Sequence, residues 1–243
     1  MSSLYVGKDA GMNARRGYVP EDDLYFSEEA VDIMRNASRQ VCYLLDEGYD
    51  LKPATVFVGN HFQLSERQRL AVMRSIAAKT QLERRREKEK NPNDVSGQEV
   101  WIDGFNTVIT FEVMLSGSPL FEGMDGCIRD LASLRGTYRI IPETEDAVKM
   151  IMDRLQLWRI GKANILLDEP VSNSGRLKTL IAETAEACRF ELDIQIRKDV
   201  DRALYVHENV MTSDSIILDH CKSWINLANA CAHNSGQTIL RVW

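Results

Sequence analysis

From Glu99 onward the chain alternates short apolar runs with segments of helical period, and this alternation restricts the fold more than any other feature. Runs at 100–103, 137–140, 164–168, 192–197 and 206–211 are expected strands. Segments at 105–115, 127–134, 143–158, 174–188 and 215–221 are expected helices. Two further short strands are expected at 224–227 and 238–242. Strands separated by helices join through right-handed crossovers, so the fold class is α/β, a mainly parallel sheet flanked by helices. Four aspartates close these apolar runs: Asp103, Asp168, Asp201 and Asp214. Ligands of an open parallel sheet bind outside the carboxyl ends of its strands. Acids repeated there converge in space, and they repel one another unless a cation neutralises them.

A different pattern precedes the sheet. Residues 1–25 mix Gly, Pro and charge without a period, as expected for a mobile or loosely docked arm. Residues 26–90 read as a small all-α domain. Ser27 with Glu28 and Glu29 is an N-cap followed by an acidic first turn. Ala30, Met34, Val41 and Leu45 then recur at helical spacing up to Gly48. A second helix is expected near Pro53, with a kink or end at Gly59-Asn60, and a third after Ser65. The step at Phe62-Gln63-Leu64-Ser65 is helix–turn–helix-like. Its nucleic-acid reading uses Arg67, Arg69 and Arg74, and its alternative is a helical cap packed on the main domain. Mixed charges at 79–93 suit an exposed helix, whose Arg84-Arg85-Arg86 triplet either meets phosphates or is a solvated face. Residues 91–98 are expected to be a linker and 99–243 the α/β domain.

Bulk properties exclude some classes. Hydrophobic residues make up 44% and charged residues 27%, ordinary for a folded chain. A net charge of −6 argues against a protein that coats nucleic acid non-specifically, which needs clustered Lys and Arg. There is no apolar run of about 18 residues, so no membrane association is expected. The first residues lack the apolar core of a secretory signal, so the expected location is cytoplasmic. The 5 cysteines form no CxxC pair and read as small buried hydrophobes. His61, His207, His220 and His233 have no metal-binding or catalytic spacing. GxSxG, Walker A and GxGxxG motifs are absent.

The acids have informative neighbours. Gly104 lets the chain turn closely after Asp103, and Asn106 is placed to fix that carboxylate or meet a phosphate. After Asp168 comes a loop of small polar residues, Ser172, Asn173 and Ser174, which opens a helix. Free N–H groups there suit a phosphate, with Arg176 and Lys178 adding positive charge. The alternative is a capped helix start on Ser172 or Ser174. Thr212 and Ser213 flank Asp214, and Asp199 is the lesser alternative to Asp201. Arg129-Asp130, near Asp125-Gly126, is a further acid with a candidate phosphate contact at the start of a short helix. Glu112 ranks last because it can equally face solvent, and Asp219 and His220 read as surface.

Ile102-Asp103-Gly104-Phe105-Asn106 resembles the opening strand motif of the PIN-like nucleases, especially their NYN branch. Thr212-Ser213-Asp214 resembles the late Thr-Ser-Asp element of that superfamily, Leu167-Asp168 its middle acid, and Asp201 the acid before its final strand. The likeness covers 99–243, and the complete chain resembles an uncharacterised prokaryotic family with a small helical domain ahead of such an α/β domain. The resemblance implies that Asp103, Asp168, Asp201 and Asp214 bind Mg²⁺ or Mn²⁺, supported by Asn106 and Ser213. The implied activity is phosphodiester hydrolysis, of RNA more often than DNA. Two other readings compete with a ribonuclease. One is a non-catalytic nucleic-acid-binding or regulatory protein, and the other is a small-molecule phosphohydrolase. The apolar faces of the helical unit suit a homodimer as well as another partner.

Overall fold

A computed structural model gives the positions of residues 15–132, 136–232 and 236–243. The N-terminal region is helical: α1 (Asp22–Tyr25), α2 (Glu28–Asp46), α3 (Leu51–His61), α4 (Glu66–Ser75) and α5 (Lys79–Lys88). Local chemistry accounts for the starts of two of them. The Ser27 side chain accepts from Ala30 N–H at the head of α2. Ser65 and Gln68 form a reciprocal capping box on α4. Gly59 does not end α3. It lies inside the helix, where a Cβ would collide with the Arg69 side chain. The turn into α4 is made by Gln63, with φ 53°. Val31, Met34, Ala37, Val41, Val58 and Val72 form the core of this region.

The α/β part comprises β1 (Glu99–Asp103), α6 (Gly104–Leu115), β2 (Leu120–Glu122), β3 (Ile128–Arg129), α7 (Glu143–Leu157), β4 (Lys162–Asp168) and α8 (Ser174–Thr184). It continues with β5 (Glu191–Arg197), α9 (Val200–Leu204), β6 (Val210–Met211), α10 (Ser215–His220), α11 (Leu227–Ala232) and β7 (Ile239–Leu240). The main sheet is parallel throughout, in the order β5-β4-β1-β6. Side chains alternate across its faces. Ile165 and Leu167 of β4 join the core with α6, α7 and α8, whereas Leu166 packs with Val200, Leu204, Ile217 and Trp224 on the other face. A three-stranded sheet, β3-β2-β7, lies apart from it.

Several expected elements differ. Residues 137–140 are not a strand. The Tyr138 N–H donates to Ser172 Oγ, and its C=O accepts from Ser172 Oγ and Asn173 Nδ2, so side chains replace a neighbouring strand. The 127–134 helix is absent over its described residues, because Ile128 and Arg129 pair antiparallel with β2; Ser133 and Leu134 lie outside the described residues. The strand expected at 224–227 reduces to bridges from Trp224 to Glu89 and Val210. The expected linker carries a 3-10 turn, Pro92–Val95, with Val95 in the main core. The described part of the arm is fastened: Arg16 Nε lies 2.8 Å from the buried Glu112, and Asp22 is buried against Arg67. All five cysteines are free, and three of them are buried. Among the described residues no helix is long and apolar enough to cross a membrane.

Candidate functional site

The strand order sets the acids side by side. Asp103 ends β1, Asp168 ends β4, and Thr212-Ser213-Asp214 follows β6. Asp201 does not end a strand; it lies in the first turn of α9, just after β5. The register places Asp103 beside Leu166 and Ile102 beside Met211, so Thr212 emerges next to Asp103. Gly104 permits the close approach of β1 and β4. A Cβ there would lie 2.5 Å from Leu167 Cδ2 and 2.7 Å from the Leu166 carbonyl oxygen.

These residues line a cleft of about 500 Å³. It contains Asp103, Asp130, Asp168, Asp201 and Asp214, with Asn106, Arg129 and Ser213. Asp103 is buried, Asp168 and Asp214 are half-buried, and Asp201 is exposed. Thr212 Oγ1 donates to Asp103 Oδ2 at 2.8 Å and accepts from the Asp214 N–H at 3.0 Å, so one hydroxyl aligns both acids. Asn106 Oδ1 accepts from the N–H and the Oγ of Ser213, each at 2.9 Å, which ties α6 to the same turn. Asp214 Oδ1 caps α10 by accepting from Ile216 and Ile217 N–H.

Burial pushes the Asp103 carboxyl up to about 8; the Thr212 hydrogen bond opposes this, and Asp214, Asp168 and Asp201 add to it. Burial and Asp201 raise Asp168, while burial and Asp214 raise Asp201. The four acids therefore feel one another across the cleft. Among the described residues, no Lys or Arg pairs with Asp103, Asp168, Asp201 or Asp214, and no three His, Cys, Asp or Glu side chains stand close enough to enclose an ion. The donor set is all hard oxygen, which suits Mg²⁺ or Mn²⁺. An ion of that kind usually keeps several waters and uses only one or two carboxylates. The acids of the cleft offer donors of that type, without enclosing an ion among the described residues.

Other expected residues are engaged elsewhere. The Ser172 and Asn173 side chains hold Tyr138, as described above. Asn173 precedes α8 with φ 64° and gives it no side-chain cap, nor do Ser172 or Ser174. Ser174, Arg176 and Lys178 are outside the cleft lining, and Lys178 Nζ donates to the Ile194 carbonyl of β5 at 2.7 Å. Glu112 neither faces solvent nor reaches the acids. It is fully buried and accepts from Tyr138 and Thr144 hydroxyls beside Arg16. Asp199 pairs with Arg197. Arg129 reaches the cleft, but its guanidinium makes a two-bond pair with Asp125 and donates to the Ser213 carbonyl. Asp130 accepts from Thr110 Oγ1 at 2.8 Å and lies near Arg74. Arg67 and Arg74 of α4 bind Asp22 and Asp130, and Arg69 Nε donates to the Leu64 carbonyl, so all three arginines have partners within the chain. Met73 and Arg74 form a wall of the cleft that no local motif announces.

Comparison with known proteins places the chain in a family. The family model described as "Domain of unknown function (DUF5616)" matches residues 92–230, more than half of the chain. The chain belongs to the DUF5616 family. Residues 33–88 match a second model, "Protein of unknown function (DUF434)". The protein called Uncharacterized protein MJ0935, from Methanocaldococcus jannaschii, is 32% identical over 185 residues, covering 76% of this chain and 88% of that one. No solved structure matches. The DUF5616 match contains all five acids of the cleft, whereas Met73 and Arg74 fall within the DUF434 match.

Proposed function

We propose that this chain is a metal-dependent phosphodiester hydrolase acting on nucleic acid, with RNA favoured over DNA, built on a PIN-like domain and working in the cytoplasm. The observation that carries the reading is the set of Asp103, Asp168, Asp201 and Asp214 around one cleft, none of them in an ion pair among the described residues. Buried carboxylates left unpaired are costly, and such a group either takes a proton or finds a cation. Asp103, Asp168 and Asp214 are the leading ligands, Asp201 and Asp130 follow. When bound, Mg²⁺ or Mn²⁺ supplies an activated water at neutral pH and offsets charge on the leaving oxygen. The chain's own part is orientation. Thr212 holds one Asp103 oxygen and leaves the other to the cleft, and the α10 cap engages Asp214 through Oδ1. Asn106 fixes Ser213 between them.

The absence of ion pairs to these four acids among the described residues weighs against a degenerate domain that binds without cutting, where closed salt bridges would fill the site. One observation favours a second reading, a small-molecule phosphohydrolase. The cleft of about 500 Å³ is walled by Met73 and Arg74 and falls in the size range of small-ligand sites.

The test is cleavage of labelled single-stranded and structured RNA, and of nucleoside phosphates, with Mn²⁺, Mg²⁺ or EDTA. The expected result is metal-dependent cleavage of RNA that falls about 100-fold or more in Asp103→Asn, since even supporting groups of metal sites are worth roughly 10–100-fold. Turnover of the small phosphates alone moves the reading to the second class. Cleavage of RNA that is equal in EDTA and in Asp103→Asn removes the proposed site.

A further inference from the structure

The Ser213-Asp214-Ser215 turn is gripped from both sides. Arg129 Nε donates to the Ser213 carbonyl at 2.8 Å. Arg85 Nη2 donates to the Ser215 carbonyl at 3.3 Å. Asp125 joins the two arginines, accepting from Arg129 Nη1 and Nη2 at 2.8 and 2.6 Å and from Arg85 Nη1 at 2.7 Å. All three side chains are at least nine-tenths buried. Arg85 Nε also donates to Asp219 at 2.7 Å, and Lys88 Nζ donates to the carbonyls of Leu218, Asp219 and Cys221. Two residues of α5 thus hold both ends of α10, the helix that Asp214 caps.

We propose that Arg85, Asp125 and Arg129 form a clamp that positions Asp214, so that a helix of the N-terminal region is a working part of the acid site. This rests on the metal-site reading for Asp214. The arginines are positioning residues: their donors are spent on carbonyls, on Asp125 and, for Arg85, on Asp219. Planar, forked guanidiniums meet this geometry and a lysine does not, because only the fork serves a carboxylate and a carbonyl together. Gly123 belongs to the clamp as well. A Cβ there would collide with Arg129 Nη1 and lie 2.7 Å from Asp125 Oδ1. Burial of three charges in one closed network is costly unless every bond is made, which ties the turn to a single arrangement.

The test uses the full chain and Mn²⁺ as the probe. Amide hydrogen exchange at 212–216 is measured without metal, and Mn²⁺ affinity by calorimetry. Arg129→Lys, Arg85→Lys and Gly123→Ala should each speed exchange in this turn about 10-fold while α2 and α7 stay protected. Each should also weaken Mn²⁺ binding about 10-fold. In a cleavage assay the Mn²⁺ needed for half-maximal rate should rise by the same factor, with the rate at saturation within about threefold of the parent. A merely structural role would lower stability without moving the Mn²⁺ requirement. Folded variants with parental exchange and parental Mn²⁺ affinity overturn the clamp. Should the buried substitutions fail to fold, Asp219→Asn loosens Arg85 from a side chain 24% exposed, and faster exchange at Ser215 and Ile216 is expected. Unchanged exchange there overturns the proposal. If the parent neither binds Mn²⁺ nor cuts RNA, the exchange result still decides the clamp, and the hydrolase reading fails by itself.

Discussion

Asp103 couples stability to pH. Its carboxyl, pushed up chiefly by burial, titrates near about 8 in the folded chain against an ordinary value of 3.8. Between those values folding takes up a proton. The favourable contribution is complete below about 4 and is lost as pH rises to about 8, beyond which it is flat. Thermal melts in EDTA should therefore show Asp103→Asn gaining on the parent from pH 5 to 8. A constant difference over that range would contradict the shift. Asp125 has the opposite sign. Burial raises it, but Arg129 and Arg85 more than offset this and hold it at about 2. Its contribution is present above about 4 and disappears as pH falls toward 2. Gly104 supports the same site sterically. Gly104→Ala drives a Cβ into the Leu166 carbonyl and should cost about 1–3 kcal/mol by denaturant titration, with α6 displaced from β4.

At the element scale, the segments around the sheet are held by few and specific bonds. Residues 15–26 depend on α1 and α4, where Asp22 is buried against Arg67. Arg67→Ala leaves that carboxylate unpaired and should cost roughly 3–5 kcal/mol, with faster proteolysis near Tyr18 as the local readout. A loss below about 1 kcal/mol would mean that Asp22 finds water instead. The 137–140 segment illustrates why short apolar runs are ambiguous. Its composition suits a strand, yet Ser172 and Asn173 side chains take the backbone bonds of Tyr138. Those same bonds occupy the side chains of Ser172 and Asn173, whose position before a helix suggests a phosphate role.

The whole molecule folds across the boundary between its two family matches. Phe121, Leu131 and Val242 of the α/β part are buried in the core of α2, α3 and α4. Both ends of the described chain therefore contribute to the helical region. Melts followed by far-ultraviolet circular dichroism and by tryptophan fluorescence should give one coincident transition. A fragment of residues 92–243 exposes those side chains and loses the Arg85 and Lys88 contacts, so it should show no cooperative melt. Two separate transitions, or a stable fragment, would make the helical region an independent module.

Periodicity and turn chemistry by themselves determined the parallel sheet, most of its helices, the caps at Ser27 and Ser65, and the acids at the strand ends. These are local properties, carried by residue spacing along the chain. Asp130 was legible as an acid but not as a neighbour of Thr110 and Arg74. Only the tertiary structure decided which polar residues share the cleft. It set Asn106 and Thr212 on the Asp214 turn and took Glu112 into the core. It committed Arg129 to Asp125, and brought Met73 and Arg74 across from the helical region. Each of those outcomes depends on contacts between residues distant in sequence, where burial leaves a charge no choice but a fixed partner.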